Sequence, residues 1–210
     1  MTDKRLTSDR LGPASDKGER TAMRGRRFGR VPCALAIAFL FGVTNAAADS
    51  VGTVTKVVNQ AQIGSNTAVS GIPVYMNDRL RTGSDSRLQV TFRDNSVLTL
   101  GEKANVVVDR YVFDPEKSKG EILLKATQGA FRFAGGRLKQ MSDRKITVNT
   151  PVAALAVRGT EFWGGPIDRQ YGVLLLHGKV AVSNRAGAVT LASPGMGTDI
   201  ALQGGKRIKR

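Results

Sequence analysis

Apolar and polar side chains alternate along much of the chain beyond residue 50, at the period of two that is typical of half-buried β-strands. The clearest example lies in residues 84–100, where Leu88, Val90 and Phe92 share one face and two leucines resume that face after a polar turn. The turn contains Asn95, and asparagine tolerates the positive φ that tight hairpin turns require. This pattern predicts a β-hairpin.

Shorter runs of the same kind recur roughly every 10–12 residues and are separated by turn-forming residues, as in β-sandwiches and barrels. Further strands are predicted in residues 51–58, 102–113, 122–124, 130–133, 146–148, 171–177, 179–183, 188–191 and 198–202. We expect Gly164-Gly165-Pro166 to end a strand and His177-Gly178 to form a turn. The prediction is an all-β fold, a single β-sandwich or β-roll domain of short antiparallel strands.

Residues 150–163 form the densest apolar run outside the N-terminus. Within this run, residues 152–157 could form a short helical turn or a buried strand. The segment Arg158-Gly159-Thr160 interrupts the run, and a guanidinium at this point must reach solvent or find an acidic partner. We expect Arg158 either to act as a structural clamp, paired with Glu161 or Asp168, or to bind a carboxylate of a partner.

Phe162 and Trp163 are consecutive, so on a strand their side chains point to opposite faces. One of them is then expected in the core and the other on the surface, where tryptophan often anchors a partner. Arg158, Phe162 and Trp163 are therefore the candidate partner-binding residues.

Two stretches of this sequence resemble the FecR domain, a periplasmic sensing module of bacterial iron-transport regulators. Residues 150–162 read Thr-Pro-x-Ala-x-x-x-Val-Arg-Gly-Thr-x-Phe. Residues 78–83 read Asp-Arg-Leu-Arg-Thr-Gly, and residues 88–100 read Leu-x-Val-x-Phe-x-Asp-x-Ser-x-Leu-x-Leu, with Asn95 where the family usually has glycine. The resemblance extends over about residues 51–182.

The resemblance implies an all-β sensing module that relays the state of an outer-membrane receptor to a sigma factor. In the family, a cytoplasmic segment and a membrane helix usually precede this domain, and we identify neither in this sequence. We therefore expect a soluble partner of an envelope or outer-membrane protein, acting in signalling without contacting a sigma factor itself. One way of docking would be to add a strand at an open sheet edge.

The N-terminal residues predict export. Four arginines between residues 24 and 30 precede the apolar run 31–43, and small residues follow up to Ala48. This is the order of a secretory signal peptide, and the apolar run is shorter than the roughly 20 residues of a membrane span. Translation from Met23 would give a compact leader without the polar extension. We predict a periplasmic or secreted protein, cleaved near Ala48, with no mature transmembrane helix.

The expected organisation has three parts. Residues 1–48 are an N-terminal extension and signal peptide, residues 49–203 are the FecR-like domain, and residues 204–210 are a basic disordered tail.

The net charge is +15, of which +10 lies beyond residue 48. No nucleic-acid motif accompanies this charge, and aromatic residues do not interleave with the basic ones as on a stacking surface. We therefore expect no nucleic-acid partner. A basic surface would also suit a second function, that of a structural protein attached to anionic polymers of the cell envelope.

The sequence contains one histidine and one cysteine, and no catalytic constellation is recognisable. His177 is expected to be a packed or surface residue, because a single imidazole without clustered partners rarely makes a site. We predict a non-enzymatic protein without a catalytic site, metal or cofactor.

Overall fold

A computed structural model describes the protein over residues 49–201, and for the backbone alone at Ile208–Lys209. The predicted leader and most of the predicted tail lie outside these residues. The strands are β1 (Gly52–Val58), β2 (Ala61–Ile63), β3 (Asn66–Thr67), β4 (Pro73–Val74), β5 (Arg79–Thr82), β6 (Arg87–Phe92), β7 (Val97–Leu100), β8 (Asn105–Asp114), β9 (Lys119–Gln128), β10 (Phe131–Ala134), β11 (Asp143–Asn149), β12 (Ala154–Ile167), β13 (Gln170–Asn184), β14 (Gly187–Leu191), β15 (Gly197–Ala201) and β16 (Ile208–Lys209). One 3-10 turn covers Arg137–Gln140.

The strands form one curled sheet with two branches that share the long hairpin β12–β13. The first branch runs β3-β2-β5-β8-β9-β11, continues through the first half of β12 and the second half of β13, and ends at β14. The second runs β4-β1-β6-β7-β10, continues through the other halves of β12 and β13, and ends at β15 and β16. Buried side chains of both branches belong to one hydrophobic core.

The all-β prediction is confirmed, with two differences in detail. The strands β9 and β11 pair in parallel, whereas the other strand pairs among the described residues are antiparallel. The strands β12 and β13 are also long, at 14 and 15 residues. Of the two alternatives for residues 152–157, the structure has the buried strand, which begins at Ala154.

The predicted breaks in this region are wrong. Gly164-Gly165-Pro166 lies inside β12, and the turn of the hairpin is instead at Asp168 and Arg169, which both have positive φ. His177-Gly178 lies inside β13 and does not form a turn. Gly178 has a positive φ, and a bulge within a long strand uses the same residue as a turn. Gly165 instead allows Ala130 and the ring of Trp163 to approach the backbone closely.

The predicted hairpin of residues 84–100 is present as β6 and β7, and Asn95 has a φ of 65°. Beside it, Asp94 is fully buried and bonds to three elements. Its carboxylate accepts hydrogen bonds from the Ser96 hydroxyl at 2.5 Å, the Tyr111 hydroxyl at 3.2 Å and the Leu138 N–H at 3.3 Å. The Asp-x-Ser pair of the sequence motif therefore ties the hairpin turn to β8 and the 3-10 turn.

Residues 204–210 were predicted to be a disordered tail. Within them, the backbone of Ile208–Lys209 forms the short strand β16. These residues pair with Asp199 and Ile200 of β15. The outer edge of β15 provides backbone hydrogen-bonding groups, and a strand satisfies them.

Candidate partner-binding surface

A bulge in the β12–β13 hairpin decides which side chains of the Arg-Gly-Thr motif face the core. Pairing shifts between Arg158 and Glu161, and Gly159 has a φ of 62°. The opposing Gly178 has a φ of 83°, and a Cβ there would lie 2.5 Å from the Gly159 carbonyl oxygen. Glycine is needed here both for the backbone conformation and for the close approach.

Thr160 completes this bulge with its side chain. Its hydroxyl donates to the Lys179 carbonyl oxygen at 2.8 Å and accepts from the Lys179 N–H at 3.2 Å. The hydroxyl thereby takes the place of a backbone partner where the ladder is interrupted. Because the bulge adds one residue, Val157, Thr160 and Phe162 all face the core.

Phe162 is fully buried, so its predicted place on a binding surface is wrong. Its ring lies edge-on to Phe131 with centroids 5.7 Å apart, and 6.1 Å from the ring of Phe133. The one-residue shift at the bulge exchanges the two faces of the strand, and this sends Phe162 inward and Trp163 outward.

Trp163 is half-buried on the outer face of the second branch. Its six-membered ring lies over the paired Gly165 and Gly172, where added Cβ atoms would be 3.1 and 3.4 Å from the ring. Leu174 pairs with Trp163 across the strands and is 38% exposed, and Ile167, which borders Gly172, is 47% exposed. We call Trp163, Ile167 and Leu174 the tryptophan patch.

Arg158 is exposed on the outer face of the first branch and makes no ion pair within the described part of the chain, so the predicted clamp is wrong. Glu161 instead pairs with Arg132, and one of its oxygens lies 3.4 Å from Nδ1 of His177. Asp168 lies in the hairpin turn. Neither of the two predicted acidic partners therefore forms an ion pair with Arg158.

An open groove borders the tryptophan patch. It has a volume of about 610 Å³ and includes Lys56, Gln89 and Arg87, with a smaller depression of about 230 Å³ that reaches Trp163. Both share Arg87, Thr99 and Arg132. Sequence reasoning did not identify this groove, because strands distant in the sequence form it side by side.

Two tyrosines have hydroxyl groups whose pKa is raised by burial. Burial, and secondarily the neighbouring Asp94 carboxylate, raise the pKa of Tyr111. Burial alone raises the pKa of Tyr171, whose hydroxyl is buried without a hydrogen-bond partner among the described residues. His177 is exposed, so of the two predicted alternatives, a packed or a surface residue, the structure has the surface residue.

Within the described residues, no group of three or more histidine, cysteine, aspartate or glutamate side chains has the arrangement of a metal site. The same part of the chain has no helix that is long and apolar enough to span a membrane.

A comparison with protein families supports the resemblance to FecR. Residues 78–181 match the sequence model of the family described as FecR protein. Two crystal structures of a candidate anti-sigma factor from Parabacteroides distasonis have a similar fold, with TM-scores of 0.49 and 0.50 and 20% sequence identity. In both cases the similarity covers 62% of this chain and 57% of the other. No curated protein matches this chain.

The matched residues contain the hairpin with the buried Asp94, the bulge at Gly159 and most of the β12–β13 hairpin. Both sequence motifs thus fall in regions where the structure shows a specific role for them. Residues 78–181 thus form a FecR domain, as the resemblance predicted.

Proposed function

We propose that this protein is a non-enzymatic, periplasmic sensing module of the FecR type, which docks with an envelope protein in a signalling pathway. The observation that carries this proposal is the tryptophan patch, an exposed apolar cluster inside the FecR domain. Membership of a regulatory family supports a signalling role, and the predicted leader supports the compartment.

The patch has the composition of a binding hot spot. Tryptophan and arginine are enriched at the positions that contribute most to protein–protein affinity. Here Trp163 is held against Gly165 and Gly172, so little side-chain entropy remains to be lost on binding. Arg132, which pairs with Trp163 in register, provides a polar rim beside the apolar centre.

The strand β14 offers a second mode of docking, the strand addition expected from the sequence. Its hairpin with β13 closes at Asn184 and Gly187, so alternate pairs exchange hydrogen bonds and Ala188 and Thr190 direct their backbone groups outward. No described strand pairs with that edge. The residues Gly187–Leu191 include neither charge nor proline, which usually protect such an edge.

The proposal is tested by affinity purification of the tagged full chain from crosslinked cells, followed by identification of envelope proteins. The double variant Ile167→Ser and Leu174→Ser should reduce the recovered partner about tenfold, the effect expected when hot-spot contacts are lost. Val69→Ser is the matched control, because Val69 is 54% exposed outside the patch. Recovery of no envelope protein above background, or location of the native protein in the cytosol, would contradict the proposal.

A second candidate function is attachment to anionic envelope polymers, which the net charge of +10 beyond residue 48 favours. Binding of the purified chain to cell-wall material that disappears as salt increases would support this function. Salt-insensitive binding to a single protein would support the sensing module.

A further inference from the structure

Three basic side chains form a row across adjacent strands of the first branch. Arg158 of β12 pairs in register with Lys179 of β13. Lys145 of β11 precedes Ile146, which pairs with Val157, and therefore lies opposite Arg158 on its other side. All three residues are exposed, and they alternate with buried neighbours, so they share the outer face. We call Lys145, Arg158 and Lys179 the basic row.

The basic row forms no ion pair within residues 49–201. Two cations on the neighbouring strands β8 and β9 are paired, Lys125 with Asp109 at 2.7 Å and Arg110 with Glu121 at 3.4 Å. Glu121 is the register partner of Lys145 but is the carboxylate that Arg110 contacts. None of the three basic-row side chains has an ion pair or hydrogen bond to a described residue.

Such an arrangement is unfavourable in the isolated protein. Directly opposed side chains on neighbouring strands have Cβ atoms about 4.5–5.5 Å apart, and like charges at that spacing destabilise a sheet. Nothing in the fold requires the charge, since the neighbouring outer positions Ala156 and Ala181 are filled by small neutral residues. Stability of the isolated sheet therefore does not account for three like charges at these positions.

We propose that the basic row binds the carboxylates of an acidic segment in a partner protein. This inference rests on the proposed function, because it specifies the chemistry of the docked protein. Charge complementarity determines the acidic character. The uncovered edge of β14 belongs to the strand next to Lys179, and this edge favours a polypeptide, because a peptide backbone offers alternating donors and acceptors for it.

The test uses a fluorescein-labelled peptide of ten glutamates and the purified full-length chain, with binding followed by fluorescence anisotropy. The row variant Lys145→Gln, Arg158→Gln and Lys179→Gln should bind about tenfold more weakly, as expected for loss of three exposed ionic contacts. The control variant Arg81→Gln, Lys103→Gln and Lys139→Gln removes the same charge from other exposed positions and should lose less than about twofold. Equal losses in the two variants, or no loss in either, would overturn the proposal.

A second measurement separates binding from a structural role. Removal of like-charge repulsion should leave the thermal midpoint of Arg158→Gln unchanged or raise it, and Lys179→Glu should raise it by forming a cross-strand ion pair with Arg158 while weakening peptide binding. A lower midpoint for Arg158→Gln would make Arg158 a structural residue and overturn the proposal.

A third comparison replaces the peptide with polygalacturonate of matched charge. Row-dependent binding of the polymer without binding of the peptide would also overturn the proposal, in favour of an envelope polymer. The affinity purification from cells tests the sensing function separately. If it recovers no envelope partner while peptide binding still depends on the basic row, the sensing function is contradicted and the chemistry of the row is supported.

Discussion

Thr160, Tyr111 and Tyr171 all bury a hydroxyl group, but only the first two have hydrogen-bond partners for it. The Thr160 hydroxyl bridges the backbone of Lys179, and the Tyr111 hydroxyl bonds to both the backbone and the carboxylate of Asp94. Because a buried polar group stabilises the fold only when it is paired, these three residues should respond differently to loss of the hydroxyl.

Thr160→Val should destabilise the protein by about 1–2 kcal/mol, because it removes both hydrogen bonds to Lys179 without changing the side-chain shape. Urea denaturation gives the free energy of unfolding, and hydrogen exchange reports the Lys179 amide directly. Thr160→Ser keeps the hydroxyl and should leave that amide protected. Equal exchange rates in the two variants would show that the bulge does not depend on this hydroxyl.

Tyr171→Phe should leave the free energy of unfolding unchanged or raise it by up to about 1 kcal/mol, since it removes an unpaired buried hydroxyl. Tyr111→Phe is the matched comparison and should lower the free energy of unfolding by about 1–3 kcal/mol, because the backbone N–H and the carboxylate of Asp94 lose a hydrogen-bond partner. A destabilisation of the same size in both variants would mean that Tyr171 has a hydrogen bond in solution.

At the scale of elements, the long hairpin β12–β13 joins the two branches, and its bulge depends on two glycines with positive φ. Gly178 faces the backbone of Gly159, whereas Gly195 has a similar φ of 85° but nothing within 4 Å of an added Cβ. The pair distinguishes the effect of backbone conformation from the effect of close approach.

Gly178→Ala should be more destabilising than Gly195→Ala by about 2 kcal/mol or more, because only the former adds a steric clash to the unfavourable φ. Thermal unfolding of the two variants measures this difference. Similar midpoints would indicate that the hairpin moves apart easily at the bulge and that the close approach is not important.

The sequence predicted the elements with local signals and missed those set by distant contacts. The hairpin of β6 and β7 was predictable because alternation and a turn residue coincide around Asn95. The continuity of β13 could not be predicted, because a glycine such as Gly178 is typical of a turn and of a bulge alike. The contact with the opposing Gly159, which is distant in the sequence, distinguishes the two. For the site, Trp163 could be assigned only as one of two alternatives, since the bulge sets the face.

At the scale of the whole molecule, the two buried tyrosines link stability to alkaline pH. Burial raises the pKa of Tyr111 and Tyr171 above that of an unfolded tyrosine, which is about 10. The folded state therefore retains these protons when the unfolded state releases them. Their contribution to stability is complete below about pH 10 and is lost as the pH rises further.

Unfolding free energies measured at intervals from pH 8 to pH 11.5 should therefore fall above about pH 10. The decrease should be smaller for Tyr171→Phe, which removes one of the linked protons. An identical decrease in the variant and the original protein would assign the alkaline effect to other groups.

The two outer faces of the molecule present different chemistry. The tryptophan patch lies on the second branch and the basic row on the first, and the one-residue shift at the bulge lets both Arg158 and Trp163 point away from the core. The Gly-Thr part of the motif has a structural role, which is to form the bulge of the shared hairpin, and we propose that its neighbours provide the surface for docking.

The most direct test of this account is site-specific photo-crosslinking in intact cells. A photoreactive amino acid replaces Leu174 in the tryptophan patch or, as the control, the exposed Val69. We expect position 174 to give a discrete adduct with an envelope protein, and position 69 to give none. Absence of an adduct at position 174, or equal adducts at both positions, would contradict docking through this surface.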